Sequence, residues 1–160
     1  MRPTSRTKPN KSLNKRPLAI AITGGIGAGK SAALAAFARH GAATISSDEV
    51  VHELYRDEEV RDALRERYGD GVFDGDEVIR AALGAIVFAD RSELAWLERL
   101  LHPKVMARTE AWRQELAALP EPPALAVNEV PLLYETGSEE RFDAVVVITA
   151  PAELLSLIHI

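Results

Sequence analysis

The sequence predicts an α/β fold built on a parallel sheet. Three observations carry that reading. The chain opens with an apolar run, a glycine-rich loop, a helical stretch and a second apolar run, which is the start of a βαβ unit. Four apolar strand segments alternate with helical ones instead of forming hairpins. A long polar stretch with helical character lies between the second and third of these segments.

The elements follow in order. Leu18–Thr23 (LAIAIT) is short and apolar throughout, as a strand buried on both faces must be. Glycines at Gly24–Gly29 end it, and Ser31–His40 carries Ala, Leu and Phe at helical spacing up to Gly41. Ala43–Ile45 is a second short strand. Glu49–Arg56 and Glu58–Tyr68 are predicted helices, Gly69–Gly75 a turn, and Asp76–Phe88 and Ser92–Leu101 further helices. Pro103 suits the first turn of another helix reaching about Leu119, which Pro120–Pro123 ends. Leu125–Val130 and Ala144–Thr149 are the last two strands, and AVVVIT is the clearest β signal in the chain. Residues 49–119 then form a helical insert over the sheet. The strands end near Thr23, Ser46, Glu129 and Thr149, and ligands of parallel sheets gather at such carboxyl ends.

Composition narrows the function. The 160 residues are 47% hydrophobic and 27% charged, with no cysteine and a net charge of -5. A thiolate-ligated metal and a thiol nucleophile are excluded, and a reducing, cytoplasmic setting is expected. Residues 1–16 hold six of the 19 basic side chains and no acid, which reads as a disordered basic extension before a domain over 17–160. The remaining acidic body is a poor match for nucleic acid. No apolar run is long enough to span a membrane, and the chain begins without the apolar core of a secretory signal.

Gly24-Gly25-Ile26-Gly27-Ala28-Gly29-Lys30-Ser31 fits G-x-x-x-x-G-K-[ST] without a mismatch, between a strand and a helix. Glycines turn backbone N–H groups inward around phosphate oxygens, and the helix adds the positive end of its dipole. Lys30 supplies a charge to the β- and γ-phosphates, and Ser31 a hydroxyl for Mg²⁺. The motif specifies phosphate and metal, not the reaction.

Other polar residues carry paired readings. Asp48 lies just past the second strand; were that strand adjacent to the first, Asp48 would sit near the γ-phosphate as a base for a hydroxyl. It serves equally as the N-cap of the following helix. Glu129 ends the third strand, as a metal ligand through water or a solvated charge. His102 stands between two predicted helices, as a ligand contact or a cap. His52, one turn after Asp48, faces the site or solvent. Arg80 pairs an acidic ligand or Asp76.

Four blocks in this order resemble the dephospho-CoA kinase family. They are ITGGIGAGKS (Ile22–Ser31), ISSDEVVHEL (Ile45–Leu54), FADRSELAWLERLLHPKV (Phe88–Val105) and NEVPLLYETG (Asn128–Gly137). The His-Pro and VPLL-Y-E blocks carry most of the specificity. The resemblance implies a three-layer P-loop kinase fold with a five-stranded parallel sheet, a helical CoA-binding insert and a lid. It implies phosphorylation of the ribose 3′-hydroxyl of dephospho-CoA by ATP with Mg²⁺, the final step of coenzyme A biosynthesis. Asp48 matches the catalytic aspartate and Lys30 the phosphate-loop lysine. Gly25, Gly27, Ala28, Gly29, Lys30, Ser31 and Ala32 fall on the ATP loop, and Ser31 and Glu129 on the metal side. His52, Arg80, His102, Pro131, Leu132 and Leu133 fall where the family lines its acceptor pocket.

The sequence departs from the family pattern at Ser46, Ala32 and Glu129, which replace a common Asp, Thr and Asp. Past Ala144–Leu154 the family continues with an Arg-bearing lid and a further strand, whereas this chain reads LSLIHI and stops. The expectation is a fold without its fifth strand and lid, and weak turnover or none, since a missing lid arginine costs ~10³-fold or more. Two other readings share the phosphate loop: another small P-loop nucleoside or nucleotide kinase, and a nucleotide-binding fragment without turnover. A GTPase is disfavoured because no N-K-x-D or D-x-x-G motif follows the loop. Oligomeric state is not legible in the sequence.

Overall fold

A computed structural model describes residues 16–151 other than Leu132 and Glu135. The predicted extension up to residue 15, the chain end from residue 152 and the Leu132 acceptor contact lie outside the described residues.

Among the described residues four strands form one parallel sheet: β1 (Leu18–Gly24), β2 (Ala43–Ser46), β5 (Leu125–Glu129) and β6 (Ala144–Ile148). Their order is β2-β5-β1-β6. The register pairs Ala21 with Asn128 and Val145, and Ser46 with Glu129. The expectation that the second strand lies beside the first is therefore corrected, because β5 separates them. The two interior strands are the ones buried on both faces: Ala126, Val127, Asn128 and Glu129 of β5 are buried, as are Ala19, Ala21, Ile22 and Thr23 of β1.

The chain passes from β1 to β2 in one lateral direction, through α1 (Lys30–Arg39), and returns to β5 in the other. Right-handed crossovers in opposite directions place their helices on opposite faces. One face is covered by α1, which contacts β1, β2 and β5. On the other, Arg113, Gln114 and Ala117 of α5 (Arg91–Ala117) share a cavity with Ala19 and Ala126.

The insert holds α2 (Ser47–Leu54), α3 (Glu58–Tyr68), a small hairpin of β3 (Phe73–Asp74) and β4 (Glu77–Val78), α4 (Arg80–Ala89) and α5. Its own core is Val60, Leu64, Val72, Phe73, Leu83, Val87, Leu97 and Leu101. Three expectations change here. The helix expected from Asp76 begins at Arg80, because Glu77 and Val78 pair back onto Asp74 and Phe73 around Gly75, whose φ is +58°. The two helices expected on either side of Pro103 are one helix of 27 residues. A helix-interior proline forfeits a backbone hydrogen bond and costs about 3 kcal/mol against alanine. Here α2 and α4 pack against α5, and that burial outweighs the local loss. His102 accordingly sits mid-helix and caps nothing.

Arg16, expected to belong to the disordered extension, is anchored. Its guanidinium holds both carboxylate oxygens of Asp143, at 2.8 and 2.9 Å. The same carboxylate accepts the Ala19 amide at 2.8 Å, tying the start of β1 to the start of β6. With these partners, Arg16 first, the Asp143 carboxyl is lowered to about 2. No helix among the described residues is long and apolar enough to cross a membrane.

Candidate active site

All four strands of the sheet run the same way, so Gly24, Ser46, Glu129 and Ile148 end on one edge. The phosphate loop leaves β1 at that edge. Gly24 has φ +147°, and a Cβ there would stand 2.1 Å from the Ile148 carbonyl oxygen, so only glycine lets β6 approach. Gly29 takes the N-cap of α1 at φ +99°, with no side-chain cap and no acid in the first helical turn. The helix thus presents bare amides and an uncompensated dipole to the loop. The Lys30 ammonium donates to the Gly24 and Gly25 carbonyls, at 3.0 and 2.9 Å, within the loop that its charge would serve. Ser31 and Ala32 follow in the first turn, both exposed.

Asp48 is exposed in the first turn of α2, whose N-cap is Ser46. The N-cap reading of Asp48 is thereby corrected: the strand runs one residue further and the helix starts two residues earlier than the sequence predicts. Because β5 intervenes, the ends of β1 and β2 lie two strand spacings apart, about 10 Å. Glu129, buried, ends the strand between them. Strand alternation turns Glu129 toward α1 and Asn128 toward α5.

A cleft of about 970 Å³ opens between the sheet edge, α2 and α5. Asp48, His102 and Pro131 line it, and Lys30, Ser31, Glu129, His52, Arg80 and Leu133 do not. The Thr23 hydroxyl donates to the Pro131 carbonyl at 3.3 Å, which fastens the segment after β5 to the strand that feeds the phosphate loop. Leu133 is fully buried, and its carbonyl accepts from Thr136 Oγ1 and the Ser138 amide, both at 3.1 Å. Its side chain supports the turn from within and offers no surface.

His52 and Arg80 come together elsewhere. Arg80 donates to His52 Nδ1 at 3.2 Å, bridging α2 and the first turn of α4. Asp76, the alternative partner for Arg80, pairs with Arg61 and Arg65 instead. Asp48 and His52 lie one turn apart on α2, so the pair continues from the aspartate along one helical face.

Sequence reasoning missed several cleft residues. Arg113 donates to the Arg141 carbonyl at 2.9 Å, pairs with Glu110 at 3.3 Å and lies 5.1 Å from the Phe142 ring centroid. Burial lowers its guanidinium pKa, yet arginine remains charged at neutral pH. Burial raises the Tyr55 phenol, which stays a neutral donor. Thr109 and Asn128 are buried polar residues on the cleft wall. The one available signal was Asn128 itself, a lone amide inside an apolar strand.

Comparison with known proteins bears on this arrangement. The family model for dephospho-CoA kinase matches residues 18–155. A dephospho-CoA kinase of Mesorhizobium japonicum is 41% identical over 137 residues, covering 86% of this chain and 68% of the relative. One from Thermobifida fusca is 39% identical, covering 84% and 66%. Among solved structures, a Thermus thermophilus protein superposes with a TM-score of 0.70 at 32% identity, over 87% of this chain and 69% of that one. A Campylobacter jejuni dephospho-CoA kinase gives 0.64 at 27%, over 84% and 66%. The chain spans about two thirds of the length of these relatives.

Proposed function

The chain belongs to the dephospho-CoA kinase family, and we propose that it transfers the γ-phosphoryl group of ATP to the ribose 3′-hydroxyl of dephospho-CoA, giving CoA and ADP. This is the final step of coenzyme A biosynthesis. The observation that carries the proposal is the shared strand edge, with the phosphate loop at β1 and Asp48 beyond β2, on either side of Glu129.

In this reading the amides of Gly25, Gly27 and Gly29, the Ala28 amide on leaving the Gly25 carbonyl it now bonds at 3.2 Å, and the N-terminus of α1 hold the triphosphate. Lys30 exchanges its two loop carbonyls for phosphate oxygens. The gap of about 10 Å between strand ends accommodates a γ-phosphate and an acceptor hydroxyl in line. Asp48 accepts the proton of that hydroxyl as its oxygen bonds to the γ-phosphorus and the bridge to ADP breaks. His102 and Pro131 contact the acceptor within the cleft, and the Thr23 hydroxyl bond to the Pro131 carbonyl holds Pro131 there. His52 and Arg80, which meet outside the cleft lining, hold its anionic groups.

Mg²⁺ fits the residues present. Among the described residues no group of three or more His, Cys, Asp or Glu forms a cage for a metal ion. Ser31 and Glu129 instead supply hard oxygen donors near the loop, which suits an ion that keeps waters and takes phosphate oxygens. When bound there it would neutralise developing phosphate charge.

Such a kinase works on small molecules, and the acidic body fits no nucleic-acid partner. We place it in the cytoplasm, in keeping with a chain without cysteine.

The test is ADP release by the purified protein with dephospho-CoA, adenosine and nucleoside monophosphates in turn. Turnover with dephospho-CoA well above the other acceptors is the expected result. Preference for a nucleoside monophosphate would assign the chain to another P-loop kinase activity. ATP binding without turnover on any acceptor would make it a nucleotide-binding module.

A further inference from the structure

Asn128 is 1% exposed, and its Oδ1 has no hydrogen-bond partner. A buried polar atom left unpaired costs on the order of 1–3 kcal/mol, so its retention calls for a reason. Asn128 lines the cleft that begins at Ser47 and Asp48. The neighbouring side chains on this face of the sheet explain the space before it. Lateral pairing in a parallel sheet sets Ala21 of β1 and Ile45 of β2 on the same face as Asn128, and Ala19 and Ala126 lie two residues before the Ala21–Asn128 pair. On the β1 side the alanines leave room where a larger residue would cover the amide. The cleft wall includes the apolar Val51, Leu101, Val105, Met106 and Val130 and the polar Thr109 and Arg113. An unpaired oxygen just beneath such a wall is a directional specificity element, since a few placed polar groups in an apolar lining fix a ligand's orientation.

We propose that Asn128 binds an N–H donor of the acceptor substrate and thereby selects it; this rests on the cleft being the dephospho-CoA site. Dephospho-CoA offers two sources of that chemistry, the exocyclic amino group of adenine and the amides of the pantetheine arm. The site's bias follows from the asymmetry of buried hydrogen bonds: an acceptor without the donor leaves Oδ1 unpaired and dry, whereas the correct one satisfies it. ATP meets the phosphate loop on the other side of β5 and is not read by this residue.

Binding of dephospho-CoA and of ATP to the purified chain and to Asn128→Leu, measured by titration calorimetry beside the melting temperature, tests the inference. Leucine keeps the branching and heavy-atom count and removes the polar atom but is bulkier, so Asn128→Ala, which removes the polar atom without overpacking, is measured beside it. The expected result is about tenfold weaker dephospho-CoA binding, with ATP binding and melting temperature unchanged or the latter raised. Equal dephospho-CoA affinity in both proteins, or parallel loss of ATP affinity, overturns the proposal alone. Absence of dephospho-CoA binding in the unmodified chain overturns the parent reading and the proposal with it. The analogue carrying hypoxanthine in place of adenine locates the donor. If Asn128→Leu binds both forms alike while the unmodified chain prefers adenine, the adenine amino group is the partner. If substituting Asn128 costs the same with either base, the arm amides are.

Discussion

The Arg80 guanidinium donates to His52 Nδ1 at 3.2 Å, joining two helices whose residues stand 28 positions apart in the chain. His52 lies one turn along α2 from Asp48, so the contact couples the start of α4 to the helix that carries the proposed base. Replacing Arg80 with methionine keeps the stem and removes the charge. The expected outcome is a rise of about tenfold in the KM for dephospho-CoA with little change in the KM for ATP. A double substitution with His52→Ala should be less than additive, which steady-state kinetics on the four proteins reads directly.

Asp48 is exposed, so its substitution should spare the fold. Asp48→Asn is expected to lower kcat by ~10²–10⁴-fold, the usual worth of a positioned general base. ATP affinity and melting temperature should not move. Retained turnover would remove the aspartate from the chemistry.

Gly24 tests the close approach of β1 and β6. In Gly24→Ala the new Cβ would meet the Ile148 carbonyl at 2.1 Å, at a φ of +147° that alanine rarely adopts. A loss of about 3 kcal/mol is expected, from steric overlap and backbone strain together. Thermal denaturation followed by circular dichroism checks it, and Gly25→Ala, where nothing lies within 4 Å, is the control.

The Arg16–Asp143 contact predicts an acid-sensitive clasp. The Asp143 carboxyl is lowered from 3.8 to about 2 when folded, mainly by Arg16 and then by the Ala19 amide. A lowered carboxyl pKa stabilises the fold fully above the unfolded value, and the contribution fades as pH falls through the folded value. The affected window therefore runs from about pH 4 down to about pH 2. Urea midpoints across that window should fall less steeply for Asp143→Asn than for the unmodified chain.

Local chemistry explains what was legible before the fold was known. The phosphate loop is a contiguous motif whose glycines, lysine and serine act through their own backbone, so Gly24–Ser31 could be read in full. Short apolar runs located all four strands of the sheet, since each strand's burial is written in its own composition. Residues that act across the chain were only partly legible. Asp48 could be placed after a strand, but its distance from Lys30 depended on which strand lies between.

Pro103 shows the same limit from the other side. A proline inside a helical pattern reads as a helix start, because the rule is local. The helix runs through it because α2 and α4 bury its faces, and no window of sequence contains that contact. The hairpin around Gly75 was missed for a similar reason, as two-residue strands carry too little pattern to compete with a helical reading.

By itself, then, the sequence determined a parallel α/β sheet, a phosphate-binding loop and the blocks that carry the family resemblance. These depend on side-chain type at fixed short spacing. Tertiary structure decided that β5 stands between the loop and Asp48, that His52 meets Arg80, and that Asn128 holds an unpaired oxygen against a cleft. Those facts depend on lateral strand order and on which helix covers which face. Both are set by the joint burial of segments distant in the chain, where the free energy belongs to the pair and to neither segment alone.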